Sequence, residues 1–432
     1  MPAADAAGDP IAELLAGTYL DAETGERLGT TVRAIAIGDD VAGSEAEWLA
    51  GLDLGARFAV VSDADTPRVL GARVERALAA RFGVQSVVLP ARPHADAETI
   101  DRLASALEPG VDALVAVGSG TLNDLCKMVG LRRGIPQVTF ATAPSMNGYT
   151  SVSASITDAG FKRSVRAAAP MGVFFDLRVL AAAPVRMIRA GLGDSACRST
   201  AQADWLLAHA LLGQPYREVP FALLARDEAE LFPHADALVR GDLGAMRHLV
   251  RTLVLSGFGM TLANGSFPAS QGEHMLAHYV ELMRPHGLPE ALHGEQTGVT
   301  ALVMAALQGE VLARDMPPVL GPSPLDRAAV LAHFGPVAGE LCWAEFLPKR
   351  LDRAAADARN AVLAAGWDAL RARIARISVG AAGLRAALAA AGGPLAPAEL
   401  GWPPELVADG LRYARATRNR YTFLDLVGDA IA

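Results

Sequence analysis

The sequence predicts an α/β N-terminal half followed by an all-α C-terminal half. Up to about residue 180, short β-rich runs alternate with helical runs, the pattern of a parallel sheet with helices on both faces. After Pro184 the runs become long and helical, with turns marked by glycine and proline, as in "DMPPVLGPSP". The expected division is residues 1–183 and 184–432.

The strands are read in order as "VRAIAIG" from Val32, "RFAVVSD" from Arg57, "VQSVVLP" from Val84, "ALVAVGSG" from Ala113 and "PQVTFATAP" from Pro136. Between them, "DTPRVLGARVERALAARFG" and "DAETIDRLASALEPG" space their apolar residues as helices do. "SVSASITDAGFKRSVRAAA" reads as a hairpin turning near Asp158–Gly160, and "MGVFFDLRVLAAAP" as a last strand ending near Asp176. The segments around Asp194, "GAMRHLVRTLVLSGFGMTLANG" and "GEHMLAHYVELMRPHG" are helical.

The chain has 432 residues, 51% of them hydrophobic, enough for a large core and two domains. Its net charge is -8 and it has no basic run, so the footprint of a nucleic-acid binder is lacking. Cys126, Cys197 and Cys342 are far apart and form no CxxC, which argues against a disulfide framework and suits a reducing cytosol. The N-terminal stretch lacks the basic and apolar regions of a signal peptide, and "AAGLRAALAAAGG" is too short to span a bilayer. A cytoplasmic protein without membrane or nucleic-acid partners is expected.

"GSGTLNDLCK" places Gly118, Ser119 and Gly120 between a strand and a helix. Bare N–H groups at a helix N-terminus seat a pyrophosphate well, although a tight strand-to-helix turn needs the same residues. The full GxGxxG spacing fails, because position 123 is Asn. Asp63, ending the second strand, suits either the ribose of an adenosine, where it repels a 2′-phosphate, or an N-cap. Asp194, His274, His278 and His293 are metal-type residues on three helical segments, with His274 and His278 spaced i, i+4 on one face. An Asp and two His make a site suited to Zn²⁺, Fe²⁺ or Ni²⁺ with positions left open.

As a set, "GSGTLNDLCK", "ATAPSMNGYTSVSASI", "AGLGDSACRSTAQADWLLAHAL", "FPASQGEHMLAHYVEL" and "LHGEQTGV" resemble the sn-glycerol-1-phosphate dehydrogenases. These sit within the superfamily of iron-containing alcohol dehydrogenases, glycerol dehydrogenases and dehydroquinate synthases. The resemblance covers roughly residues 30 to 300. It implies a Rossmann-like N-terminal domain, a helical C-terminal domain and a dehydroquinate synthase-like fold. It also implies NAD(H) or NADP(H), one divalent metal (Zn²⁺ first, Ni²⁺ or Fe²⁺ otherwise), a phosphorylated small-molecule substrate and a homodimer. Residue by residue, it makes Asp194, His274 and His293 metal ligands and Gly118, Ser119 and Gly120 the pyrophosphate loop, with Asn123 and Asp124 on the cofactor side. Asp63 faces the ribose, Thr142, Ser145 and Ser151 line the nicotinamide and substrate, and His278 lies near the substrate. Asp124 and Lys127 match the motif either as ligand contacts or as a salt bridge.

Two departures stand out. Relatives read "PSMDGYTS" where this chain has Asn147, near the substrate hydroxyls; Asn donates as well as accepts and cannot act as a base. Arg198 stands four residues after Asp194, where the glycerol-phosphate branch has Lys, and its fork suits a phosphate. The activity implied is interconversion of dihydroxyacetone phosphate and sn-glycerol 1-phosphate, with His278 as proton relay and Asn147 at the substrate. The alternatives are another polyol phosphate or phosphonate, favoured by Asn147, and a dehydroquinate synthase-like cyclase, disfavoured by Asp194 in place of Glu. Asp63 favours NAD, while Arg68 could accommodate NADP. The tail from about Ala355 reads as helices that pack or form an interface.

Overall fold

The computed structural model describes residues 8–158, 161–285 and 287–431. Near the N-terminus, β1 (Tyr19–Leu20) and β2 (Arg27–Leu28) pair antiparallel. Strands of two residues carry no alternation, so no hydrophobic period marks them.

The strands that follow are β3 (Ala34–Gly38), β4 (Arg57–Asp63), β5 (Gly83–Leu89), β6 (Ala113–Gly118), β7 (Gln137–Ala141), β8 (Ser153–Asp158), β9 (Phe161–Arg166) and β10 (Gly172–Asp176). Six of them form one sheet in the order β3-β10-β7-β6-β4-β5, with every pair parallel. The α/β reading of the N-terminal half therefore holds. Sequence order did not reveal that β10 enters between β3 and β7.

The central strands are buried on both faces and read as continuous apolar runs, as parallel sheets require. Successive side chains alternate between faces. Phe58 and Val60 of β4, with Ala113, Val115 and Val117 of β6, join one core with Leu70, Val74 and Phe174. Ala59, Val61, Leu114 and Ala116 join the other, with Ile100, Leu103, Leu125 and Val129. Asp96 caps the helix Ala97–Ala106 by accepting from Thr99 N at 2.8 Å.

β8 and β9 form the expected hairpin, antiparallel and outside the large sheet. Of its expected turn, residues 159 and 160 lie outside the described residues.

The compact units differ from two contiguous halves split at 183/184. One comprises Met1–Ser195 with Glu218–Ser266, and the other Ala196–Arg217 with Phe267–Ala432. The helix Val185–Leu212 changes unit after Ser195, and the helix Leu243–Leu262 belongs to the first unit. Hydropathy marks helices but not which core they serve, so the break in texture at Pro184 is not the break in packing. Among the described residues, no helix is long and apolar enough to cross a membrane.

Candidate active site

In the first unit, β6 ends at Gly118, and the helix Gly120–Arg133 starts without a side-chain cap from Ser119. Both glycines are required by packing. A Cβ on Gly118 would lie 2.9 Å from the Leu122 Cβ, and one on Gly120 would lie 2.9 Å from Met146 Cγ. Gly118 pairs in register with Ala141 of β7, and Thr142 N donates to Gly118 O at 3.1 Å. The turn and the segment after β7 are thereby tied side by side.

That segment carries Thr142, Ser145, Asn147 and Ser151. It is pressed onto the helix Val185–Leu212 at Gly191, where an added Cβ would lie 1.7 Å from Pro144 O. Three residues further along that helix is Asp194, buried, whose Oδ2 accepts from Asn147 N at 2.8 Å. Thr142 is buried and Ser145 half-buried, and the Tyr149 hydroxyl donates to Ala143 O at 2.7 Å.

The motif residues after the turn serve this segment from inside. Lys127 is almost fully buried. Its Nζ donates to Gly148 O at 2.6 Å, Ser153 O at 3.0 Å and Ser151 Oγ at 3.3 Å. Asp124 Oδ2 accepts from Ser155 N at 2.8 Å, and its Oδ1 from Asn123 Nδ2 at 3.2 Å. Asn123 is fully buried and accepts from Thr139 Oγ1 at 2.9 Å. Burial lowers the Lys127 ammonium to about 8 against the pull of Asp124; burial also raises the Asp124 carboxyl, opposed by Lys127. Asp124 and Lys127 form a buried clamp on residues 148–155. Asn123 and Asp124 were expected on the cofactor side, but their side chains are spent on internal bonds, because they lie on the buried face of the helix. Ser151 is likewise buried, donating to Gly148 O at 3.0 Å.

Asp63 is half-buried at the end of β4. Its Oδ1 accepts from Asp65 N at 3.0 Å and Thr66 N at 2.9 Å, a turn ahead of the helical segment whose N-cap is Thr66 rather than Asp63. Arg68 is exposed. An open cleft of about 410 Å³ includes Asp40, Arg73, Asp176 and Arg178 in its lining, but its charges are mutually paired, Arg73 with Asp176 and Arg178 with Asp40.

The second unit gathers the imidazoles. His274 and His278, on the helix Gly272–Met283, have ring centroids 5.9 Å apart. His293, opening the helix His293–Leu312, lies 5.1 Å from His274 and 5.8 Å from His278. His274 Nδ1 is 2.9 Å from Glu273 Oε1. A ring donating from Nδ1 to a carboxylate carries its lone pair on Nε2, the form that ligates a metal. Glu273 is held in turn by Gln271 N at 2.7 Å and Thr200 Oγ1 at 3.2 Å. Cys197 has its sulfur within 4.8 Å of the ligand atoms of Glu273 and His274. The sequence reading passed over Glu273, although its place beside His274 was the available signal. Arg198 Nη1 donates to Gln202 Oε1 at 2.8 Å and Ile377 O at 3.2 Å.

The donors of the second unit suit a divalent metal: imidazoles close together, with the His274 ring backed by the Glu273 carboxylate. Asp194 stands three residues before Cys197 on one continuous helix, a spacing that puts both on the same helical face.

Residues 36–184 match the family model described as iron-containing alcohol dehydrogenase. The glycerol-1-phosphate dehydrogenase (NAD(P)+) of Thermococcus kodakarensis is 32% identical over 64% of this chain and 78% of its own length. That of Bacillus licheniformis is 29% identical over 92% of this chain and 89% of its own. The iron-containing alcohol dehydrogenase structure from Corynebacterium glutamicum superposes with a TM-score of 0.58 at 15% identity, covering 90% of each chain, a likeness of fold. With the glycine turn, the clamped segment after β7 and the histidine cluster in place, the chain belongs to the glycerol-1-phosphate dehydrogenase family within the iron-containing alcohol dehydrogenase superfamily.

Proposed function

We propose that this protein is an NAD(P)-dependent, metal-dependent dehydrogenase that interconverts dihydroxyacetone phosphate and sn-glycerol 1-phosphate. The observation that carries the reading is the relationship to glycerol-1-phosphate dehydrogenases over most of their length, together with a histidine cluster of the right chemistry in this chain.

In this reading Asp194, His274 and His293 hold one divalent metal, Zn²⁺ first among Zn²⁺, Ni²⁺ and Fe²⁺. When bound, the metal supplies a Lewis acid for the substrate oxygens, and the nicotinamide supplies or takes the hydride. Asn147 fixes Asp194 through its backbone N–H and presents its amide to the substrate. His278, half-buried beside the other two imidazoles, holds or passes the proton that the carbonyl gains on reduction.

The uncapped N–H groups after Gly118 and Ser119 take the pyrophosphate. Asp63 accepts from the ribose, while Thr142, Ser145 and Ser151 shape the nicotinamide side. Asn123, Asp124 and Lys127 act by positioning. Arg198 is a candidate for the substrate phosphate. A homodimer in the cytoplasm completes the reading.

A second reading, favoured by Asn147, keeps the chemistry and changes the substrate to another polyol phosphate or a phosphonate. The test is loss of reduced-nicotinamide absorbance with dihydroxyacetone phosphate after loading with Zn²⁺, Ni²⁺ or Fe²⁺. Metal-dependent turnover to sn-glycerol 1-phosphate supports the first reading. Binding of NADH and metal without turnover of this substrate rejects it in favour of the second.

A further inference from the structure

Within the second compact unit, one face of the helix Val185–Leu212 meets the start of the helix that carries His274 and His278. Thr200 and Asp204 stand there four residues apart, about one helical turn, and both are buried. Asp204 Oδ2 accepts from Gly272 N at 2.9 Å. That N–H is one of the donors a helix leaves open at its start, and the N-cap residue, Gln271, does not cap the helix with its side chain. The approach is close. A Cβ on Gly272 would lie 2.8 Å from Asp204 Oδ2 and 2.5 Å from Met304 Cε of the helix His293–Leu312.

Asp204 Oδ1 accepts from Phe423 N at 2.9 Å and from Gln308 Nε2 at 3.2 Å. Gln308 belongs to the helix that opens at His293, and it donates to Thr200 O at 3.1 Å as well. A single carboxylate thus ties both histidine-bearing helices to each other and to the C-terminal segment.

Thr200 acts one turn earlier. Its Oγ1 lies 3.2 Å from Glu273 Oε2 and 3.0 Å from Cys197 O, and its one hydroxyl proton favours the carboxylate, the stronger acceptor. The other oxygen of Glu273 serves His274 Nδ1 at 2.9 Å and Gln271 N at 2.7 Å. Glu273 is fully buried. Without the hydroxyl, Oε2 would lack a donor inside the protein, and turning the carboxylate to find one would draw Oε1 away from the imidazole.

We propose that Thr200 and Asp204 are positioning residues for the metal site. Thr200 aims His274 through Glu273, and Asp204 fixes the start of the His274 helix against the helix that carries His293. The proposal rests on the dehydrogenase reading for the bound ion; the alignment of the imidazoles stands without it.

The experiment compares the full chain in wild type, Thr200→Val, Thr200→Ser, Asp204→Asn and Asp204→Ala. Zn²⁺ affinity is measured by competition with a chelator, NADH affinity by fluorescence titration, and the visible bands of the Co²⁺-loaded protein by absorption. Valine keeps the shape of threonine and loses the hydroxyl. It is expected to weaken Zn²⁺ binding about tenfold and to shift the Co²⁺ bands, while serine, which keeps the hydroxyl, stays within about threefold of wild type. Asp204→Ala should weaken Zn²⁺ binding about 10- to 100-fold. Asp204→Asn, close in shape, leaves at least one of the three N–H donors without an acceptor and should fall between alanine and wild type. NADH affinity should change less than about twofold throughout, because the dinucleotide is assigned to the first unit.

A purely structural role would lower the melting temperature of Thr200→Val and leave its Zn²⁺ affinity and Co²⁺ bands as in wild type, a result that overturns the role of Thr200. Serine behaving like valine overturns it too. Should Asp204→Ala fail to fold, Asp204→Asn decides, and Zn²⁺ affinity equal to wild type in that variant overturns the role of Asp204. Wild-type Zn²⁺ binding without turnover of dihydroxyacetone phosphate would reject the substrate and leave the positioning roles standing, whereas a wild type that binds neither Zn²⁺ nor Co²⁺ overturns them.

Discussion

In the first compact unit the groups offered to a ligand are mostly backbone: the N–H groups after Gly118, and a segment whose side chains are largely spent on itself. In the second, the groups offered are imidazoles, with Glu273 behind His274. The buried charges differ as well. The first unit buries a cation, Lys127, lowered to about 8 by burial; the second buries an acid, Asp204, raised to about 8 by burial and then by Glu273. A backbone site needs a stiff frame beneath it, which Lys127 supplies through two carbonyls. A side-chain site needs orientation, which carboxylates supply.

The largest expected effect comes from removing an imidazole. His274→Ala should reduce kcat/KM by about a thousandfold or more, roughly 4 kcal/mol, and abolish stoichiometric metal. Metal analysis and NADH titration on the same sample check it. Metal retained with activity near wild type would end the metal assignment, whereas NADH affinity should be unaffected, because the dinucleotide is assigned to the first unit.

Next come the buried charges, whose pH dependences run in opposite directions. The folded pKa of Lys127 lies below its ordinary 10.5. Its contribution to stability is therefore present above about 10.5 and is lost as pH falls through about 8, a swing of about 3 kcal/mol. For Asp204 the folded pKa lies above the ordinary 3.8, so its contribution is full below about 3.8 and is lost as pH rises through about 8. Lys127→Met should flatten the alkaline arm of the stability curve, and Asp204→Asn the acid arm, in denaturant melts from pH 4 to 10.5. Arms that keep their slopes in both variants would show that neither group titrates as its burial requires. Lys127→Met should also lower overall stability, because Gly148 O and Ser153 O lose their donor.

Glu273→Gln is smaller in effect. An amide can still meet the His274 ring, but it no longer supplies a negative charge behind the ligand. Metal affinity should fall about 10- to 100-fold, with most activity recovered at excess metal. Recovery separates an orienting carboxylate from a residue needed for folding; activity that stays low at saturating metal would count against the orienting role.

How much of this the sequence showed depends on where the information lies. The β-rich runs from Arg57 to Ala141 announced the sheet, because strands buried on both faces are continuous apolar runs in the chain itself. His274 and His278 were visible because the i, i+4 spacing is local. The insertion of β10 between β3 and β7, and the transfer of Glu218–Ser266 to the first unit, depend on contacts between distant segments and leave no local period. The same holds for Asp124 and Lys127. Their types suggested a ligand contact or a salt bridge, but only the fold shows Lys127 reaching carbonyls 21 and 26 residues away. The tail read as helices that pack or form an interface, and only the fold shows Arg418 and Arg420 bonding to Ser270.

Asp63 offers the smallest effect and the sharpest test of the first unit. Its Oδ1 caps the turn through Asp65 N and Thr66 N, bonds that an Asn oxygen can keep. Asp63→Asn therefore removes the charge and leaves the turn, and stability should change by less than about 0.5 kcal/mol. If the carboxylate also faces a ribose, its charge repels a 2′-phosphate, and its loss should shift the ratio of kcat/KM for NADH over NADPH by about tenfold toward NADPH. A ratio that stays fixed while the variant melts like wild type would make Asp63 a turn cap alone, and would leave the choice of coenzyme to other groups near the adenosine, with the exposed Arg68 the first to substitute.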